Sequence, residues 1–138
     1  MKTYDVTEVS AIVGGHIVQG GIEGDFLTVA RDEEAFTYLT DVSGNGTRSK
    51  NPNRAGKITI RLQASSESNE FLSGLALADE LNNGGIVPIL IRDNSGSDLH
   101  KGESCYLVKH PDAAYGKELG EREYVFQVEN LAMFSGGN

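Results

Sequence analysis

Three histidines, one cysteine and a few closely spaced carboxylates are the side chains here that could do chemistry. His16, His100 and His110 fall in three separate segments. A zinc site draws its ligands from residues two to four apart, because one turn or hairpin must reach a single tetrahedral ion. None of the three histidines has such a neighbour, so they read as surface or interface residues. Cys105 stands alone beside Tyr106 and Leu107 and reads as a buried, inert thiol on a strand. Glu23 and Asp25 flank Gly24 and would share one face of a strand, as a general acid/base pair could. No histidine, arginine or apolar pocket beside them would split their pKa values, so a charged turn is the reading. Asp93-Asn94-Ser95-Gly96-Ser97-Asp98 lacks the closing glutamate and the carboxylate spacing of an EF-hand and reads as a solvated hairpin. There is no GxSxG, and Gly56-Lys57 is followed by Ile58 where a phosphate loop needs Ser or Thr. Asn45-Gly46-Thr47 fits the glycosylation sequon, but without a secretion signal it carries no weight. No catalytic residue, cofactor or metal is therefore expected. An enzyme would need a site assembled wholly from scattered residues.

The elements that would position these side chains are mostly strands. In Arg54 to Leu81, Ile58, Ile60 and Leu62 alternate with Lys57, Thr59, Arg61 and Gln63, the period of a half-buried strand. After a serine-rich break, Phe71, Leu75 and Ala78 recur at helical spacing, flanked by Leu72 and Leu81. Ser66 and Ser68 are candidate caps, and Asn82-Asn83-Gly84-Gly85 ends the helix. Upstream, Val9 to Val18 reads as a strand, a Gly14-Gly15 break and a second short strand. Phe26 to Arg31 is apolar on both faces, which suits a central strand or a subunit contact. Phe36 to Thr40 is another strand. Asp41 to Ala55 is polar and aperiodic, a long loop with a hairpin tip at Gly44-Asn45-Gly46. Downstream, Ile86 to Ile91 is a buried strand whose Pro88 demands an edge or a bulge. Ser104 to His110 and Glu123 to Met133 complete the set, with Pro111 to Gly120 as a second loop.

At 138 residues the chain is expected to be one domain, 1–138, with a core of its own. The net charge of −8 argues against ordinary duplex binding, which needs cations to neutralise phosphates. No run approaches the ~20 apolar residues of a membrane span. The start MKTYDVTEVS lacks the apolar centre of a signal peptide, so a cytosolic product without stable membrane insertion is expected. A lone cysteine cannot make an internal disulfide.

The charges are unevenly placed. Asp32, Glu33 and Glu34 form an acidic patch; Arg48, Lys50, Arg54 and Lys57 form a basic one beside the long loop. Two solvated surfaces would suffice to explain this. The sharper expectation is docking between copies, with Arg48, Lys50 and Arg54 as a contact loop and Asp32, Glu33 and Glu34 as its complement. A head-to-tail contact of this kind repeats into rings or filaments.

Taken in order, GGIEGDFLTVARDEEAF, SGNGTRSKNPNRAGKITIRL and ASSESNEFLSGL resemble the tail tube proteins of contractile-tailed bacteriophages. The resemblance is carried by Glu23-Gly24-Asp25, by Gly44 through Ser49, by Gly56 through Leu62 and by Ser65 through Asn69. It covers Val9 to Ile91 and continues more loosely through the last strand, departing most in the Asp112 to Glu121 loop.

The resemblance implies an antiparallel β-sandwich or barrel with one packed α-helix, as in phage and type VI secretion tubes. It implies hexameric rings stacked into a hollow tube inside a sheath, a virion component made in the host cytoplasm, through which DNA passes without sequence-specific binding. Tail sheath, baseplate and tape-measure proteins are the implied partners. A baseplate, tail-terminator or secretion-tube component is the alternative, and a small β-barrel enzyme or ligand-binding module is a third reading. Sheet edges completed by neighbours fit a strand with two apolar faces, and a negative lumen would let phosphates slide past.

Overall fold

The computed structural model describes residues 1–137. A one-turn 3-10 helix, Val6–Glu8, leads into β1 (Val9–Val13), β2 (His16–Ile17) and β3 (Leu27–Arg31). A separate hairpin follows, β4 (Phe36–Thr40) and β5 (Gly46–Lys50). The remainder is β6 (Gly56–Gln63), α1 (Ser68–Asn82), β7 (Val87–Asp93), β8 (Leu99–Leu107), β9 (Glu121–Val128) and β10 (Ala132–Phe134). The main sheet has the order β2-β1-β7-β8-β9-β6-β3, antiparallel throughout, with β10 beside β8.

The alternation seen in the sequence sets which face turns inward. Ile58, Ile60 and Leu62 of β6 are fully buried and meet Ile89, Ile91, Tyr124, Phe126 and Val128 in one core. Each such side chain contributes about 1.5–3 kcal/mol by leaving water. Lys57, Thr59 and Arg61 turn outward, opposite Gln127, Val125 and Glu123 of β9. The Gly14-Gly15 turn, with φ of 55° and 87°, reverses β1 into β2, as two-residue hairpins require.

The sheet curls back on itself. Val18 N–H bonds to the Ala11 carbonyl, while Gln63 N–H bonds to Gly20 O at 2.9 Å and Gly21 bridges to Leu62. The stretch 18–22 thus links the β1 side of the sheet to the end of β6. Across from it, β9 and β10 keep a single register against β8: Cys105↔Val128 and Lys101↔Ala132 lie on one ladder, with a kink at Glu129–Leu131 between them. Arg31 ties that kink down, donating from Nε and Nη2 to the Leu131 carbonyl at 3.1 and 2.9 Å.

Several expectations need adjusting. The β3 strand is not central; it ends the strand order, with Leu27 and Val29 packed against the core. Pro88, by contrast, lies as expected at a bulge, where the β7–β8 register shifts between Val87 and Ile89. The helix presents Ser68, Leu72 and Ala76 as its buried line, with Phe71 and Leu75 beside it, while Leu81 is 83% exposed. The serines do not cap it in the simple way, because the N-cap position is Glu67 and makes no side-chain bond. Ser66 Oγ accepts the Ser68 N–H, and Ser68 Oγ accepts the Gln19 N–H at 3.0 Å, so both also tie the helix start to the closing segment. The C-terminus behaves as expected: Asn83 is left-handed at φ 59°, and its N–H returns to the last turn.

Candidate functional site

The stretch 41–55, expected as a loop, is one-third strand. Only its ends are irregular: Asp41 Oδ1 accepts the N–H groups of Ser43 and Asn45 and fixes a tip in which Gly44 has φ 84°. Beyond it, Gly46–Lys50 pairs with Phe36–Thr40 in full register, from Phe36↔Lys50 to Thr40↔Gly46. This two-stranded arm is a sheet of its own, and all ten of its strand residues are exposed. The GTRSK strand shows no period because neither face is buried; alternation records burial, not extended backbone.

The arm nevertheless has two unlike faces. Phe36, Tyr38, Arg48 and Lys50 share one; Thr37, Leu39, Thr47 and Ser49 share the other. On the first face the Arg48 guanidinium lies over the Phe36 ring, 4.1 Å from its centroid. Tyr38 lies across Gly46, where a Cβ would meet its ring within 2.5 Å. Two aromatic rings and two cations therefore stand side by side in water. Tyr38 is 69% exposed.

Arg54 lies outside the strand, in the return to β6, and its carbonyl accepts the Leu131 N–H at 2.9 Å. Asp32, Glu33 and Glu34 sit at the arm's root, between β3 and β4. The Asp32 carboxylate accepts from Lys57 Nζ at 2.8 Å and from Gln127 Nε2 at 2.9 Å. Those bonds, Lys57 first, hold its pKa below the usual carboxylate value. Glu33 accepts from Asn51 Nδ2 at 2.7 Å, and that same nitrogen donates to the Glu34 carbonyl. The basic and acidic groups are thus neighbours within one subunit, the first along the arm and the second bracing its base. The aromatic residues of the arm, Phe36 and Tyr38, escaped the charge-based reading; their spacing of two opposite Arg48 and Lys50 was the available signal.

The residues considered for chemistry are dispersed. His16 stacks on Phe71 with ring centroids 4.5 Å apart and meets Ser68 Oγ at 3.0 Å. His110 approaches Glu80 at 3.2 Å on the helix. His100 is buried, and its Nδ1, like Asp98 Oδ1, has no hydrogen-bond partner among the described residues. Burial pushes the Cys105 thiol up to about 11. The Asp93–Asp98 stretch is the β7–β8 turn, where Asp93 Oδ1 accepts from Ser95 N and Oγ. Among the described residues no group of three His, Cys, Asp or Glu side chains could hold a metal ion. Nor, among them, is any helix long and apolar enough to cross a membrane.

Residues 1–136 match the family described as bacteriophage PhiTE tail tube protein. A structural protein, ORF10, of Pseudomonas phage KPP10 is 27% identical over 145 residues, covering 99% of this chain and 84% of that protein. Among solved structures, the sheath/tube terminator of the extracellular contractile injection system PVC superposes with a TM-score of 0.65 at 13% identity, over 98% of this chain and 99% of that one. A chain of the PVC sheath-tube complex gives 0.61 at 14% identity, over 96% of this chain and 92% of its own. The tube-terminating cap of the anti-feeding prophage gives 0.61 at 12%, over 98% and 93%. At these identities the structures establish a shared fold.

Proposed function

We propose that this chain, which belongs to the bacteriophage PhiTE tail tube protein family, acts as one domain that assembles through its arm into rings stacked as a hollow tail tube. It is a structural phage protein. The observation that carries the assembly reading is the β4–β5 arm. An isolated two-stranded hairpin is at best marginally stable in water, yet this one exposes Phe36, Tyr38, Leu39 and Val42. A neighbouring copy would bury them. Arg48, Lys50 and Arg54 then face that neighbour and act as the inter-subunit contact, against a body whose charge is strongly negative.

Six copies per ring, a surrounding sheath, and baseplate and tape-measure partners complete the picture by family analogy. The chain performs no catalysis, and a DNA genome passes along a lumen whose negative charge repels phosphate. The assembled protein resides in the virion after synthesis in the host cytoplasm. Electron microscopy of the purified chain across a concentration series tests the reading. Long open-ended tubes are expected; single closed rings would point instead to a terminator or baseplate role, and monomers at every concentration would reject assembly altogether.

A further inference from the structure

We propose that the aromatic and cationic face of the arm docks, in a second copy of this chain, into the groove on the outer sheet face where β8 ends and β9 begins. The proposal rests on the tube-subunit reading above and names the surface that receives the arm.

The groove has a volume of about 380 Å³ and an apolar floor of Val108, Pro111 and Val125. The floor is fixed by backbone, since the Val108 N–H bonds to the Val125 carbonyl at 3.0 Å. Val108, in the bend just after β8, is 53% exposed. Asp112, Glu121 and Glu123 rim it. Two cations stand near them: Lys109 reaches Asp112 at 4.0 Å, and Arg61 reaches Glu123 at 3.7 Å. Both pairs are long, and three carboxylates face these two cations, so the rim keeps an excess of carboxylate. The arm offers the counterpart on one face: Phe36 and Tyr38 for the valine floor, Arg48 and Lys50 for the rim. Aromatic anchors flanked by arginine are what the centre of a protein interface favours, and an arginine fork matches a carboxylate bidentately.

Position argues the same way. The arm leaves the sheet where β6 begins, at Gly56, whereas Glu121 pairs with Gln63 at the other end of that strand. At ~3.3 Å per residue the groove starts roughly 10 Å along β6 from Gly56, where Val125 pairs with Thr59, and its acidic rim runs on to Glu121, roughly 23 Å away. The arm leaves one end of β6 and the groove extends towards the other, so each copy gives its arm forward and receives one behind, a heterologous contact that propagates as a stack. The acidic patch at the arm's root is the competing acceptor, but Asp32 and Glu33 are already engaged by Lys57, Gln127 and Asn51 of their own subunit.

Charge reversal in the full-length chain tests this. Arg48→Glu with Lys50→Glu, and separately Asp112→Lys with Glu121→Lys, should each abolish sedimentable tubes while leaving the thermal midpoint unchanged. The chain carrying all four reversals should recover them. As a second readout, Tyr38→Cys with Val108→Cys should give a ladder of covalent oligomers on oxidation, with Cys105 silent because it is buried. The proposal is overturned if wild-type tubes form yet neither rescue nor cross-linking occurs. It is equally overturned if Glu34→Lys, rather than Asp112→Lys with Glu121→Lys, restores the arm reversals. Wild-type chain that never forms tubes overturns the tube-subunit reading itself, a separate and recognisable result.

Discussion

The guanidinium of Arg48 rests 4.1 Å above the ring of Phe36, two strand positions along the partner strand, on an arm that touches no core. An exposed cation–π contact contributes only about 0.5–1 kcal/mol, and it orders the arm face without supporting the fold. Phe36→Ala should therefore change unfolding free energy by no more than about 1 kcal/mol while removing assembly. Urea unfolding measured beside sedimentation of the same sample checks both halves. A large loss of stability would mean that the arm is part of the body.

Gly102 predicts the opposite pattern. A Cβ built there would lie 2.3 Å from Val128 Cγ1 and 3.1 Å from Cys105 Sγ, inside the core at the β8 irregularity. Gly102→Ala should cost about 1–3 kcal/mol by overpacking. Adding Val128→Ala should recover part of that cost, because it removes the nearest colliding methyl. Denaturant midpoints of the two variants decide it.

Asp32 supplies a pH signature. Its folded pKa lies below the ordinary carboxylate value because Lys57 and Gln127 bond the ionised form. The stabilisation is complete above the unfolded-state pKa of about 3.9 and fades as pH falls through the folded value. Asp32→Asn should be less stable than wild type at pH 6, and the gap should close towards pH 2–3. A gap that stays constant with pH would mean that packing, not ionisation, carries the effect.

Cys105 should be silent to thiol reagents. With its pKa pushed up to about 11, roughly one thiol in a thousand is ionised at pH 8, and the side chain is fully buried. Labelling by a disulfide reagent at pH 8 should be negligible in native protein and complete in urea. Rapid labelling of the folded chain would contradict the packing of β8.

Ser68 ties the helix start to the barrel seam. Its hydroxyl accepts the Gln19 N–H and meets His16 Nε2, both at 3.0 Å. Ser68→Ala leaves partly buried partners unsatisfied and should cost about 1–3 kcal/mol, read by thermal or urea unfolding. Ser68→Thr keeps the hydroxyl and tests whether its loss, rather than crowding, is responsible.

The inward faces were written in the sequence. Ile58, Ile60 and Leu62 alternate because only one side of β6 is wet, and Asn83 ends the helix because its backbone must turn left-handed. The glycine pair after Val13 and the proline at the β7 irregularity likewise announce their geometry locally. The order of motifs also pointed to the family, since spacing between short patterns survives where single residues drift. What no local pattern could supply was partnership between distant segments. The β6 strand pairs with β9, more than fifty residues away, and 18–22 close the barrel through backbone bonds that carry no side-chain signature. Tertiary packing rotated the helix onto Ser68, Leu72 and Ala76, and it set the β3 strand at the end of the sheet. It also left β4 and β5 with nothing to bury against. A polar strand without a core to face leaves no period behind, so the arm emerges only once the rest of the chain has folded without it.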